Sequence, residues 1–215
     1  MKITAALWLA LPFALAPSAL GDTFTLTAHD QGWISSSGQT NATGNYYSGL
    51  IFATEYRSWW LFALPTLPGT ITSATLRTPA GDVIVIGGAS ETVRFGSVAT
   101  TPAALAARTG GLAAFASLSS GMLFAQHDYT RADTGLNVDV ALNAAAIAAL
   151  NGAQGGEFAI GNCITTFDGG SITEGVFGNT TFANGVSLML TYDVPAPGSL
   201  VAIGVGAIGA MRRRR

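Results

Sequence analysis

Arg57-Ser58-Trp59-Trp60-Leu61-Phe62-Ala63-Leu64 is apolar at every position after Ser58. Successive side chains of a strand point to opposite faces, so an apolar run on both parities predicts a central strand covered from both sides. Its neighbour in sequence, Ile71 to Thr78, alternates instead, with Ala74 and Leu76 on one face and Ser73, Thr75 and Arg77 on the other. Farther out, Val186, Leu188, Leu190 and Tyr192 share a face opposite Ser187, Met189, Thr191 and Asp193. Asn184-Gly185 just before them supplies the residues of a two-residue hairpin turn. Val138, Val140 and Leu142 alternate with Asn137, Asp139 and Ala141, and Glu157 to Gly161 follows as a further strand. Short strands with Gly, Asn, Ser and Thr between them predict an all-β fold, a single β-sandwich.

Two short helices interrupt the strands. Thr101 caps the first, Pro102 suits its first turn, and Gly110-Gly111 stops the stretch Ala103 to Arg108. Asn143 caps Ala144 to Leu150, and Asn151-Gly152 ends it. Both are expected to plug the ends of the sandwich.

The two ends of the chain read as addresses. Lys2, an apolar stretch from Ile3 to Ala16, and small residues Ala19 and Gly21 before Asp22 form a secretory signal peptide over residues 1–21, cut by signal peptidase between Gly21 and Asp22. At the other end, Gly198 to Met211 is apolar and Arg212, Arg213, Arg214 and Arg215 follow it. Guanidinium groups are costly to move through hydrocarbon and cytoplasmic flanks collect positive charge, so these arginines stop transfer and stay in the cytoplasm. The 14 residues from Gly198 to Met211 span ~21 Å at ~1.5 Å per residue, short of a ~30 Å hydrocarbon core. Gly198, Gly204, Gly206 and Gly209 dilute the run further. A transmembrane-like helix of this kind suits temporary retention in the inner membrane.

Residues 22–193 form the one folded domain between these addresses. Lys2 and the four terminal arginines are five of the ten basic residues, so the body sets five arginines against twelve carboxylates, a net charge of −7, with no lysine. That excludes the electrostatic footprint of a nucleic-acid binder. Cys163 is the single cysteine, so no internal disulfide forms, and its expected role is a small buried side chain. A body of 172 residues buries ~70% of its unfolded surface without such a staple.

Catalytic motifs are absent: the sequence holds no Gly-x-Ser-x-Gly elbow, phosphate loop, dinucleotide fingerprint or His-Glu-x-x-His string. His29, His127 and Cys163 lie far apart, and nothing in the spacing of Glu55, Glu91, Glu157 and Glu174 selects a catalytic pair. No catalytic residue, cofactor or metal site is expected; calcium at Asp133, Asn137 and Asp139 is the weaker alternative. The stretch Gly32 to Tyr47 is aromatic and amide-rich. Trp33, Asn45, Tyr46 and Tyr47 are its candidate ligand residues, because ring faces stack on sugar C–H groups while amides bond hydroxyls.

Three resemblances follow. Pro195-Ala196-Pro197, the short apolar span and the arginine cluster, residues 194–215, resemble the PEP-CTERM sorting signal, with alanine in place of the usual middle glutamate. Arg57 to Leu64 followed by Ile71-Thr72-Ser73-Ala74-Thr75-Leu76 looks like the jelly-roll modules of the DNRLRE type. Val138 to Ile147, Gly155 to Gly161 and Val176-Phe177-Gly178 are similar to the bodies of other PEP-CTERM proteins. The sorting signal implies an exported protein cut by an exosortase-like transpeptidase near Pro195, Ala196 and Pro197. The expected function is a non-catalytic cell-surface or extracellular-matrix protein. The alternative is a carbohydrate-binding module for extracellular polysaccharide, and third comes a membrane-anchored protein or glycan-active enzyme.

Overall fold

A computed structural model describes residues 20–41, 44–167, 173–178 and 185–194. The apolar part of the expected signal peptide, the Pro195-Ala196-Pro197 motif, the apolar run after it and Arg212 to Arg215 lie outside the described residues. Strand β1 (Leu20–Thr27) leads into β2 (Asp30–Ser35), and β3 (Tyr46–Ile51) and β4 (Thr54–Ala63) form a hairpin. Next come β5 (Thr70–Ala80), β6 (Asp82–Ile84), β7 (Glu91–Gly96), α1 (Pro102–Ala106) and α2 (Gly111–Ser120). They are followed by β8 (Leu123–Tyr129), a 3-10 turn at Arg131–Asp133, β9 (Leu136–Ala141) and α3 (Ala144–Gly152). The last strands are β10 (Glu157–Ile164), β11 (Thr173–Gly178) and β12 (Ser187–Val194).

Two antiparallel sheets result. One has four strands in the order β1-β12-β5-β9; the other has eight, β6-β11-β3-β4-β10-β7-β8 with β2 along β4. They share a core, to which Leu76, Val140 and Leu188 come from the smaller sheet and Phe62, Phe95 and Ile160 from the larger. The described body is thus mostly β-sheet.

Strand β4 explains its own composition. Trp60 and Phe62 face the shared core, whereas Trp59 and Leu61 join a second cluster with Ile34 of β2, Leu105 of α1 and Ala114 and Leu118 of α2. The helices cover the sheet face that the core does not, and a strand between two such layers is apolar on both parities. Fully burying side chains of this size stabilises the fold by roughly 1.5–3 kcal/mol each.

Helix α2 is a correction to the expected two. Gly110-Gly111 does not end the first helix, which stops at Ala106 with Ala107 as its C-cap. The pair starts another, with Gly110 at the N-cap at φ 99° and Gly111 following at φ 49°, both left-handed angles that favour glycine. Ala114, Ser117 and Leu118, spaced i, i+3, i+4, are the buried positions of α2. The other two helices start as expected, with the Thr101 hydroxyl accepting from Ala104 N at 3.3 Å and Asn143 Oδ1 accepting from Ala146 N at 3.0 Å. Helix α3 carries the chain from the smaller sheet to the larger, and Asn151 at its end clamps both the N–H (2.8 Å) and the C=O (2.9 Å) of Ile71. Among the described residues no helix is long and apolar enough to cross a membrane.

Of the hairpin expected at Asn184-Gly185, Asn184 lies outside the described residues, and the pairing of β12 corrects the rest. Gly185 does adopt a positive φ of 50°, but β12 pairs with β1 and β5 while the preceding strand, β11, belongs to the other sheet. The chain therefore changes sheets between β11 and β12. Alternation assigns a strand its faces and leaves its partners open.

Candidate functional site

Residues paired across antiparallel strands share a face, and the register of β6, β11 and β3 puts three rows together. Asp82, Phe177 and Tyr47 form one row, Ile84, Gly175 and Gly49 the next, and Thr173 faces Ile51 in the third. The side chains of these rows, with Trp33 of β2, Tyr56 of β4 and Asn45, line a cavity of about 320 Å³, the two glycines lending it none.

The two glycines of the middle row decide its shape. A Cβ on Gly49 would stand 2.2 Å from Glu174 O, one on Gly175 2.5 Å from Ser48 O, and each would come within 3.0 Å of the Tyr47 hydroxyl. Their absence lets the Tyr47 phenol lie across the strands, its Oη 2.9 Å from both Leu50 O and Glu174 O as a donor. Burial pushes the Tyr47 pKa well above the ordinary tyrosine value, with the Tyr56 hydroxyl and nearby carboxylates adding to the effect, so the ring stays neutral.

From Tyr47 the aromatic contacts spread in both directions. Tyr47 meets Tyr56 at 5.5 Å and 73°, Tyr56 meets Trp33 at 4.9 Å and 84°, and Tyr47 meets Phe177 at 6.3 Å. Four rings from four strands make one wall. Asn41 fixes its edge: Oδ1 accepts from Trp33 N at 2.9 Å, while Nδ2 donates to Asn45 O at 2.7 Å and Asn45 Oδ1 at 2.8 Å.

Of the residues singled out in the sequence, Trp33, Asn45 and Tyr47 line this cavity. Tyr46 does not. Adjacent strand residues face opposite ways, and Tyr46 is 3% exposed in the core, edge-on to Trp60 at 5.2 Å and donating its hydroxyl to Pro79 O. Tyr56, Asp82 and Phe177 complete the site without a local sequence signal, since only strand pairing brings them to Tyr47.

Candidate catalytic and metal groups are dispersed. His29 Nε2 lies 3.1 Å from Glu157, His127 packs edge-on to Tyr129, and Cys163 is buried on β10, where burial raises its thiol pKa. Asp139 makes a bidentate pair with Arg77 at 2.6 and 2.7 Å, and Asp133 closes a capping box with Thr130. Among the described residues no group of three or more His, Cys, Asp or Glu is placed to hold a metal ion.

Gly21 and Asp22 are part of β1, and β12 ends at Val194, one residue before the proline motif. Residues 193–215 match the PEP-CTERM protein-sorting motif. The motif marks an exported protein that transits the membrane and is sorted by an exosortase. No curated protein matches the chain.

Proposed function

We propose that this is a non-catalytic protein of the cell surface or extracellular matrix, its body of the jelly-roll type. Residues 194–215 hold it in the inner membrane, arginines inward, until an exosortase-type transpeptidase cuts near Pro195-Ala196-Pro197. The sorting match over residues 193–215 carries the reading. The non-catalytic part is supported by the histidines, each engaged with a different neighbour on a different strand, and by the burial of Cys163 away from both. Mass spectrometry of the protein from its host is expected to show a body that begins near Asp22 and ends close to Pro195. Peptides covering Leu200 to Met211 in the surface form would overturn the sorting reading and leave a plain membrane anchor.

A second reading, a carbohydrate-binding module, is favoured by the aromatic cavity between β3 and β11.

A further inference from the structure

We propose that the cavity formed by β2, β3, β4, β6 and β11 binds uncharged pyranose sugars and rejects acidic ones. The proposal rests on the second reading above and is independent of how the chain is sorted. Its first support is the wall of four rings. Trp33, Tyr56 and Phe177 are each part-exposed along it, whereas Trp59 and Trp60 are 1% exposed in the two apolar clusters. Aromatic surface held open by paired strands is a preformed platform, and a pyranose offers it a flat face of C–H groups.

The second support is Asp82. It is exposed, it pairs opposite Phe177 in the β6–β11 register, and it lines the same cavity. An ionised carboxylate is an acceptor with two oxygens, which matches two neighbouring hydroxyls on the rim of a sugar stacked on the rings. A purely apolar occupant, such as a lipid chain or a leucine-rich peptide, would strip water from that carboxylate and give no donor in return.

Charge then selects among sugars. Asp82 stands at the cavity and the body around it carries −7 with no lysine, so uronic acids and sulfated sugars meet repulsion both at contact and on approach. Size sets the last limit: about 320 Å³ sits at the lower end of the ~300–1,000 Å³ typical of small-molecule sites, room for a short stretch of a chain and not a long cleft.

The test uses the full chain expressed in an exporting host and purified in the form that the host releases. It is passed over immobilised dextran, β-glucan, galactan and mannan, and over polygalacturonate. Retention is expected on at least one neutral polymer and not on polygalacturonate. Phe177→Ala is expected to lower it about tenfold through loss of stacking area. Because a ring substitution can also loosen the sheet, Asp82→Ala serves as the second variant; it changes an exposed side chain, and a several-fold loss with an unchanged melting temperature is expected. No retention on any neutral polymer, equal retention on polygalacturonate, or retention that survives both substitutions would each overturn the proposal. None of these results touches the sorting reading, which is tested at the chain ends.

Discussion

Gly21 lies directly opposite Asp193 where β1 pairs with β12, and Leu20 lies opposite Val194. On its other edge β12 pairs with β5 only as far as Asp193, opposite Thr70. Val194 thus has Leu20 as its one strand partner among the described residues. The proposed signal-peptidase cut between Gly21 and Asp22 would remove that partner, and with it one of the two partners of Asp193. Val194, next to the Pro195-Ala196-Pro197 motif, would then have no strand partner among the described residues. Blocking the N-terminal cut with Ala19→Arg is predicted to slow removal of the C-terminal segment. Pulse-labelling with gel mobility would check it; equal C-terminal processing rates in the blocked and native precursors would sink the coupling.

Trp59 carries the second prediction. It is 1% exposed between the larger sheet and helices α1 and α2, with the Arg108 guanidinium 5.0 Å from its ring centre. Trp59→Ala is predicted to destabilise the body by ~3–5 kcal/mol, the range for truncating a large buried aromatic. Thermal unfolding measures this, and a change below about 1 kcal/mol would mean that the helical layer is not packed on β4.

That strand also shows how much the sequence revealed. The double-sided apolar run of β4 was legible because burial on both faces leaves a period-free signature, and the alternation of β5, β9 and β12 was legible because each has one wet face. Helix α2 was not legible, since its Gly, Ala and Ser content blurs the contrast between faces and its N-cap and first residue are the glycines Gly110 and Gly111, which read as a stop. In the cavity, Trp33, Asn45 and Tyr47 were visible as a local cluster, but Asp82 and Phe177 reach it through strand register, and register between distant strands leaves no trace in local composition. Tyr46 and Tyr47 looked equivalent in sequence because periodicity alone does not say which parity faces the core.

Arg108 and Asp30 supply a pH prediction. Arg108 holds a left-handed φ of 55° at the end of α1 and grips both oxygens of Asp30 at 2.7 and 2.8 Å, tying the helical layer to β2. Partial burial pulls the Asp30 carboxyl upward, but the hydrogen bonds and charge of Arg108 outweigh it and hold the pKa below the ordinary aspartate value. A depressed folded pKa means that the contribution is fully present above about pH 4 and is lost as pH falls through the folded value. Asp30→Asn is therefore predicted to lower stability near neutral pH by about 1–3 kcal/mol and to flatten the stability curve below about pH 4. Urea unfolding at several pH values checks this. A variant whose curve stays parallel to the native one down to about pH 2 would show that the pair contributes nothing.

Cys163 gives the last prediction. It is 4% exposed on β10, opposite Arg94 of β7, and burial raises its thiol above the ordinary cysteine value, so the reactive thiolate is scarce near neutral pH. A thiol reagent is predicted to leave it unmodified in the folded protein and to label it fully once denaturant opens the sheet. Cys163→Ala removes one small buried group with no cross-link attached, which costs ~1 kcal/mol, and reductant should leave the melting temperature unchanged. Rapid labelling of the folded protein, or a dimer that reductant dissolves, would place the thiol at the surface and make β10 an accessible strand. The stability of the body would then have to be reassigned away from the layer that α2 forms over that strand.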